Sequence, residues 1–197
     1  EMEEEQRSIY DAYRNDFRNQ ILGTIETQGI HKSQLTILQG LMKLRQICDS
    51  PSILNETEKL PNHSIKLDEI ARELEENMGN HKALVFSQFL GMLALIKHKL
   101  EELNIPFVYF DGSTSAADRE KAVQEFQNNE EVRVFLISLK AGGVGLNLTA
   151  ADYVYIVDPW WNPAVEQQAI DRTHRIGQTN NIFAYRMICK DTIEDKI

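Results

Sequence analysis

The chain has 197 residues and a formal net charge of −9 at pH 7, from 21 basic and 30 acidic side chains. Its length is enough to bury one sizeable core, and 42% hydrophobic with 26% charged residues is typical of a globular protein. No apolar run approaches the roughly twenty residues that cross a bilayer. The acidic start of the chain, Glu1 to Glu5, is also unlike the basic start of a signal peptide. These features predict no membrane partner.

The net acidic charge argues against a self-sufficient nucleic-acid binder. The acidic excess lies in residues 1–131, because residues 132–197 carry seven basic and seven acidic side chains. Any contact with nucleic acid is therefore expected to be a narrow set of phosphate contacts that relies on a partner surface.

The chain contains two cysteines, Cys48 and Cys189. Their separation in sequence fits neither metal-ligand spacing nor a disulfide framework. The sequence therefore predicts no metal site and no disulfide partner, and it favours a reducing, intracellular compartment.

The N-terminal third is predicted to be helical. Apolar residues recur every four positions from Ile9 to Ile25, which predicts an amphipathic helix over about 2–26 that breaks at Gly29. Ser33 is expected to cap a second helix that stops before Pro51. The apolar side of this helix is expected to carry Leu35, Leu38, Leu41, Met42 and Arg45. Residues 50–64 are polar and read as a linker, so the domain boundary is expected between residues 1–62 and 63–197.

Strand and helix patterns alternate after a short helix over about 66–78 that Gly79 ends. The predicted strands are 84–87, 107–110, 132–138, 153–157 and 182–188. The predicted helices are 89–103, 115–127 and 164–173, with Ser115 and Asp118 as a capping pair. Nearly continuous apolar strands between helices predict an α/β fold with a mostly parallel sheet covered on both faces.

A glycine-rich segment, SLKAGGVGLNL, occupies residues 138–148 after one of these strands. It is not a Walker A loop, because none of the ten glycines in the chain precedes a lysine. It is not a dinucleotide fingerprint either, because Leu148 stands where the third glycine belongs. An Asp-Glu pair at the end of an apolar strand, which could hold Mg²⁺, is also absent from the sequence.

Two later segments complete a pattern. Residues 158–163, DPWWNP, follow the next strand, and residues 167–178, QQAIDRTHRIGQ, follow shortly after. On a helix, Gln168, Arg172 and Arg175 share one face, and paired guanidiniums suit phosphate oxygens. An exposed helix end whose cations favour the C-terminal dipole is the alternative interpretation of this face.

Together these segments resemble motifs V and VI of the Swi/Snf-type family of helicase superfamily two, which contains DNA-translocating and chromatin-remodelling ATPases. Residues 82–89, KALVFSQF, resemble motif IV of that family, and residues 109–114, YFDGST, resemble the segment after it. Residues 41–48, LMKLRQIC, resemble the helical stretch between the two halves of such motors. The resemblance covers nearly the whole chain.

The resemblance implies a C-terminal RecA-like lobe, a three-layer α/β fold preceded by an α-helical appendage over 1–62. It implies ATP and Mg²⁺ held mainly by an N-terminal RecA-like lobe of the same polypeptide. Arg172 and Arg175 would then be arginine fingers that reach the γ-phosphate across a cleft. Gly145 and Asn147 would border the sugar of the nucleotide, and Gln168 would place the fingers. Asp171 and His174 are expected to orient neighbours rather than to catalyse.

The resemblance also implies contacts with double-stranded DNA from loops at strand ends, where open α/β sheets place ligands. Small residues and hydroxyls there would contact phosphates, namely Gly112, Ser113, Thr114, Ser138 and Lys140. Trp161 would touch a base, whereas its neighbour Trp160 is equally well explained as a packing residue. For Gln88 and for Arg119, a functional role and a packing or surface role are equally consistent with the sequence. The implied location is a bacterial cytoplasm or nucleoid, or a eukaryotic nucleus.

Two other functions remain open from the sequence. One is a strand-separating superfamily two helicase, which is disfavoured because residues 171–178 lack the usual run of three arginines and because the WNP segment is additional. The other is a non-catalytic binding or scaffold lobe, which degenerate fingers would indicate, although both arginines are present.

Overall fold

A computed structural model describes residues 1–141, 146–173 and 181–197. Its contacts divide the chain into two compact units, one of residues 1–66 with 189–197 and one of residues 67–188. The domain boundary predicted at 62/63 remains a proposal beside this division. No helix among the described residues is long and apolar enough to cross a membrane.

The first unit is built on two long helices, α1 (Glu4–Gln28) and α2 (Ile30–Asp49), with a 3₁₀ turn at Pro51–Ile53 and another at Ile193–Lys196. The helices are separated by Gly29, whose φ of 81° lies in the region that favours glycine. Gly40 brings α2 close to α1, because a Cβ there would lie 1.6 Å from a ring atom of Phe17. The small core of this unit joins both ends of the chain, and its buried apolar members are Met2, Tyr10, Leu44, Ile47, Cys48, Leu54 and Cys189.

The cap expected for α2 is wrong. Ser33 does not cap the helix, which begins three residues earlier, so the Ser33 hydroxyl instead donates to the carbonyl of Gly29 at 2.9 Å. The side of α2 that carries Leu35 and Leu38 is largely exposed, since these residues are 65% and 64% accessible, whereas Arg45 on the same side is buried. The helix packs instead through Leu44, Ile47 and Cys48, which lie on an adjacent side.

The second unit is a sheet of five parallel strands in the described residues, in the order β2-β3-β1-β4-β5. The strands are β1 (Lys82–Ser87), β2 (Phe107–Phe110), β3 (Val134–Ser138), β4 (Ala151–Ile156) and β5 (Phe183–Arg186). The helices are α3 (Ile65–Arg72), α4 (Leu90–Glu102), α5 (Ala116–Asn128) and α6 (Pro163–Asp171). The first two residues of α3 belong to the first unit, and α3 continues as a π-helical turn over Glu73–Asn77. Ser115 caps α5 as predicted, accepting from the Asp118 amide at 3.2 Å.

Helices cover both faces of the sheet. The connection through α4 steps from β1 towards the β2 edge, whereas those through α5 and α6 step the other way, so right-handed crossovers put α4 on the opposite face from α5 and α6. The core cluster agrees, because alternate strand residues such as Phe86 and Phe135 pack with Phe126 of α5 and Ala169 of α6. The predicted RecA-like α/β fold with helices at the N-terminus is confirmed.

Candidate functional site at the carboxyl edge of the sheet

All strands of a parallel sheet end at the same edge, and the candidate residues follow these ends. Residues 111–114 follow β2, Ser138 and Lys140 end or follow β3, and residues 157–162 follow β4. The loops after β2 and β4 are three strand spacings apart, on the order of 14 Å. The sheet therefore brings the predicted loops to one edge without bringing all of them into contact.

The loop after β2 is held together by hydrogen bonds to the Asp111 carboxylate. The Asp111 carboxylate accepts from the Ser113 amide at 2.8 Å, from the Ser113 hydroxyl at 2.6 Å and from the Tyr109 hydroxyl at 2.7 Å. These hydrogen bonds, from Ser113 first, lower the pKa of Asp111. Arg119 donates to the carbonyls of Thr114 and Asp111 and thus braces the loop from α5.

These internal hydrogen bonds reduce the number of donor groups that the loop can present to a ligand. The amides of Ser113 and Thr114 are engaged within the loop, since the latter donates to the Asp111 carbonyl at 3.2 Å. The Thr114 oxygen accepts from the Asp111 amide at 3.1 Å, which leaves its own hydrogen to donate. Gly112 is exposed, so a phosphate would be met mainly by the Gly112 backbone and the Thr114 hydroxyl.

Ser138 and Lys140 lie at the end of β3 in different environments. Ser138 is only 3% accessible and pairs with Ser87 in the sheet register, whereas Lys140 is exposed. Lys140 and Gln168 share the lining of a cavity of about 300 Å³ with five apolar residues, Phe86, Leu139, Trp160, Val165 and Ala169. Two residues predicted for different ligands are therefore neighbours here.

The loop after β4 begins at a buried carboxylate. Asp158 accepts from the Ser87 hydroxyl at 2.5 Å and from the Gln88 amide at 2.8 Å, and it therefore ties the carboxyl end of β4 to that of β1. Gln88 is itself buried and donates to the Pro159 carbonyl at 3.4 Å. Gln88 thus has a structural partner in this loop.

The two tryptophans of this loop have different surroundings. Trp160 is half-buried and packs against the main core, whereas Trp161 is 51% accessible. The Trp160 amide donates to Glu166 Oε1 at 2.8 Å, and the Asn162 side chain caps α6 by accepting from the Ala164 amide at 3.0 Å. The backbone on both sides of Trp161 is therefore anchored while its ring faces outward.

Helix α6 carries the predicted nucleotide-facing residues at its far end. It spans nine residues, about 13 Å, and ends at Asp171, so Arg172 is its C-cap. Arg172 Nε donates to the Gln168 carbonyl at 3.2 Å, and partial burial lowers the pKa of the Arg172 guanidinium. The Arg172 carbonyl accepts from the Leu148 amide at 3.0 Å, which brings exposed Asn147 next to this helix end.

Three predicted residues, Gly145, His174 and Arg175, lie outside the described residues. Of the two arginines predicted as fingers, only Arg172 lies within the described residues. A guanidinium and an amide one turn apart at a helix end are donors that fit phosphate and sugar oxygens, so the described residues fit one side of an ATP site.

Two anchoring residues, Asp158 and Glu166, were not singled out from the sequence. The position of Asp158 directly after an apolar strand was a local signal in the sequence. A carboxylate buried at a strand end needs hydrogen-bond donors, so such an aspartate indicates an anchoring role. Glu166 carried only the signal of an acid in the first turn of a helix, which is common for electrostatic reasons alone.

One group of potential metal ligands occurs in the described residues. The ligand atoms of Cys48, Cys189 and Glu194 lie within 4.8 Å of one another and are buried, and both cysteines are free thiols. The Lys66 ammonium lies 2.7 Å from Glu194 and 3.2 Å from Asp49. A cation thus already neutralises this cluster, and the prediction of no metal site stays a prediction.

Comparisons with known proteins identify the family of the chain. Residues 65–177 match the family described as helicase conserved C-terminal domain. An uncharacterized ATP-dependent helicase of Mycoplasma genitalium is 38% identical over the whole chain, which covers 18% of that protein. The chain therefore spans about a fifth of that relative.

Two solved structures from Sulfolobus solfataricus are similar to the chain at 33% identity. The SWI2/SNF2 ATPase C-terminal domain matches 98% of the chain and 77% of its own length with a TM-score of 0.77. The SWI2/SNF2 ATPase core in complex with dsDNA matches 99% of the chain and 40% of its own length with a TM-score of 0.78. The chain belongs to the helicase conserved C-terminal domain family, as a Swi2/Snf2-type C-terminal lobe of helicase superfamily two.

Proposed function

We propose that the chain is the second motor lobe of an ATP-dependent double-stranded DNA translocase or remodeller. The observation that carries the proposal is the arrangement of α6, which begins at the loop with exposed Trp161 and has Arg172 as its C-cap. One short helix therefore joins a surface suited to bases with a guanidinium suited to phosphates. The similarity to a SWI2/SNF2 core in complex with dsDNA supports this assignment.

On the nucleotide side, Arg172 and Arg175 act as arginine fingers on ATP and Mg²⁺ that a first lobe binds. ATP supplies the phosphoryl group whose transfer drives the motor, and the fingers offset charge that develops in that step. Gln168 supports the fingers through the helix, while Gly145 and Asn147 border the sugar.

On the DNA side, the loops after β2 and β3 bind the backbone, and a ring in the loop after β4 touches a base. Gly112, Ser113 and Thr114 contact one phosphate through the Gly112 backbone and the Thr114 hydroxyl. Lys140 adds a charge from the loop after β3. Buried Ser138 acts through its position at the end of that strand, and Trp161 stacks on or wedges at a base.

The fingers provide the test, in the full-length polypeptide that contains the first lobe. Arg172→Ala and Arg175→Ala are expected to leave the Kd for ATP within an order of magnitude, because the first lobe still holds the nucleotide. DNA-stimulated turnover is expected to fall about a thousandfold, the usual contribution of such a finger. Lysine at either position should rescue poorly, because a point charge lacks the planar fork.

Arg72→Ala is the matched control, since Arg72 is an exposed arginine paired with Glu69 on the surface of α3. It should leave turnover unchanged. Normal turnover in folded Arg172→Ala and Arg175→Ala variants would contradict the finger assignment and favour a non-catalytic lobe.

A further inference from the structure

Glu166 joins three elements at the carboxyl edge through one oxygen atom. Its Oε1 accepts from the Trp160 amide at 2.8 Å and from Arg186 Nε at 3.1 Å. Trp160 lies in the loop after β4, Glu166 lies in the first turn of α6, and Arg186 is the last residue of β5. One carboxylate therefore fixes the position of this loop relative to both a helix and a strand.

The surroundings of Glu166 make this interaction firmer than an ordinary surface ion pair. The Glu166 side chain is 12% accessible and that of Arg186 is 36%, so solvent screens the pair only in part. The charge also lies at the positive end of the dipole of α6. An unmade hydrogen bond at the Trp160 amide would be costly in this half-buried place.

The strand that carries Arg186 is itself fixed by stacked aromatic rings. Tyr185 of β5 stacks on Tyr155 of β4 at 5.4 Å between ring centres, and Phe183 stacks on Tyr153 at 5.3 Å. Arg186 pairs with Ile156 in the sheet register. The guanidinium therefore approaches Glu166 from a defined position.

We propose that Glu166, held by Arg186, is a positioning residue that fixes the loop of residues 158–162 and with it the direction of the Trp161 ring. The two ends of the loop have their own anchors in Asp158 and Asn162, and Glu166 supplies the anchor between them, at the residue before Trp161. The consequence for DNA engagement rests on the proposed function, whereas the ordering of Trp161 does not.

The ordering of Trp161 is tested on the chain itself, without DNA or ATP. The chain has two tryptophans, so Trp160→Phe leaves Trp161 as the sole fluorophore and keeps the backbone amide of residue 160. Adding Glu166→Ala should lower the steady-state anisotropy of Trp161 and raise its quenching constant with acrylamide about twofold. Glu166→Gln should lie between, because it keeps an acceptor for the amide but loses the attraction to Arg186.

Glu69→Ala is the control, since it removes another arginine-paired glutamate of the same unit. Its fluorescence should match the parent. If Trp160→Phe does not fold, fluorotryptophan NMR of the natural chain, assigned with Trp161→Phe, reports the same motion through line width. A folded Glu166→Ala variant with unchanged Trp161 mobility would overturn the proposal.

The consequence for DNA is measured in the full-length polypeptide. Glu166→Ala is expected to raise the DNA concentration for half-maximal ATPase stimulation about tenfold and to leave the KM for ATP within twofold. Arg186→Lys should shift the DNA dependence less, because the charge stays while the Nε donor is lost. An unchanged DNA dependence beside a more mobile Trp161 would overturn the role in DNA engagement, while the proposed function would still be decided by the finger variants.

Discussion

Trp160 and Trp161 are adjacent in sequence, yet the loop after β4 gives them opposite surroundings. Packing against the core explains Trp160, because this large apolar side chain is partly removed from water there. Trp161 is 51% accessible, so much of its side chain stays in contact with water. An exposed ring on a backbone that is anchored on both sides fits the DNA contact that we propose for Trp161.

This difference predicts separate effects of two alanine substitutions. Trp160→Ala should destabilise the fold by about 2–4 kcal/mol in urea unfolding, because a packed ring is lost. Trp161→Ala should change stability by less than about 1 kcal/mol. In the full-length polypeptide, Trp161→Ala should lower DNA-stimulated ATPase more than Trp160→Ala does. An unchanged stability of Trp160→Ala with complete loss of DNA stimulation would require the two assignments to be exchanged.

At the scale of elements, the first unit depends on a buried ion cluster. Lys66 at the start of α3 contacts Asp49 at the end of α2 and Glu194 in the C-terminal 3₁₀ turn. All three side chains are almost fully buried. The ammonium offsets charge on both carboxylates, and removal of one partner from a buried ion pair is strongly unfavourable.

Removal of the Lys66 charge is therefore expected to be severe. Lys66→Met should destabilise the chain by about 3–5 kcal/mol at neutral pH, because two buried carboxylates lose their ion pairs with the Lys66 ammonium. Urea unfolding at neutral pH measures this loss.

Lys43→Met serves as the control, because Lys43 forms an exposed pair with Glu56 at 3.1 Å. Its effect should stay within about 1 kcal/mol. Equal effects of the two substitutions would contradict the dependence of the first unit on the buried cluster.

At the scale of the whole molecule, the charge of −9 limits what the chain does alone. The candidate DNA surface offers few cations among the described residues, and the Walker residues that bind ATP are not in the sequence. A motor lobe of this kind is expected to work with a second surface. DNA binding and ATP hydrolysis should therefore both depend on the first lobe.

The purified 197-residue chain is accordingly expected to hydrolyse no ATP with or without DNA. Its binding to duplex DNA should be weak and should decline steeply with salt, because a few released counterions dominate the affinity. Fluorescence titrations at 50 mM and 200 mM salt measure the slope. Nanomolar binding that ignores salt would show that the DNA interface lies elsewhere, and DNA-stimulated turnover would contradict the two-lobe mechanism.

Helix and strand types were predictable because their signals are local. Apolar periodicity, Gly29 and the Ser115 cap each act within a few residues, and all appear in the structure close to their predicted places. The wrong prediction of a cap at Ser33 also came from a local signal. A serine near a helix start resembles a cap, but Gly29 allowed the helix to begin three residues earlier.

The sequence by itself determined the order of elements, and with it that the glycine-rich and WNP loops follow strands. Parallel pairing then places those loops at one edge, whatever the details of packing. Only the tertiary structure decided which side chains meet there. Asp158 and Ser87 are 71 residues apart and Glu166 and Arg186 are 20 apart, so no local pattern links them. Such pairs depend on strand order and register, which hydrophobic periodicity does not encode.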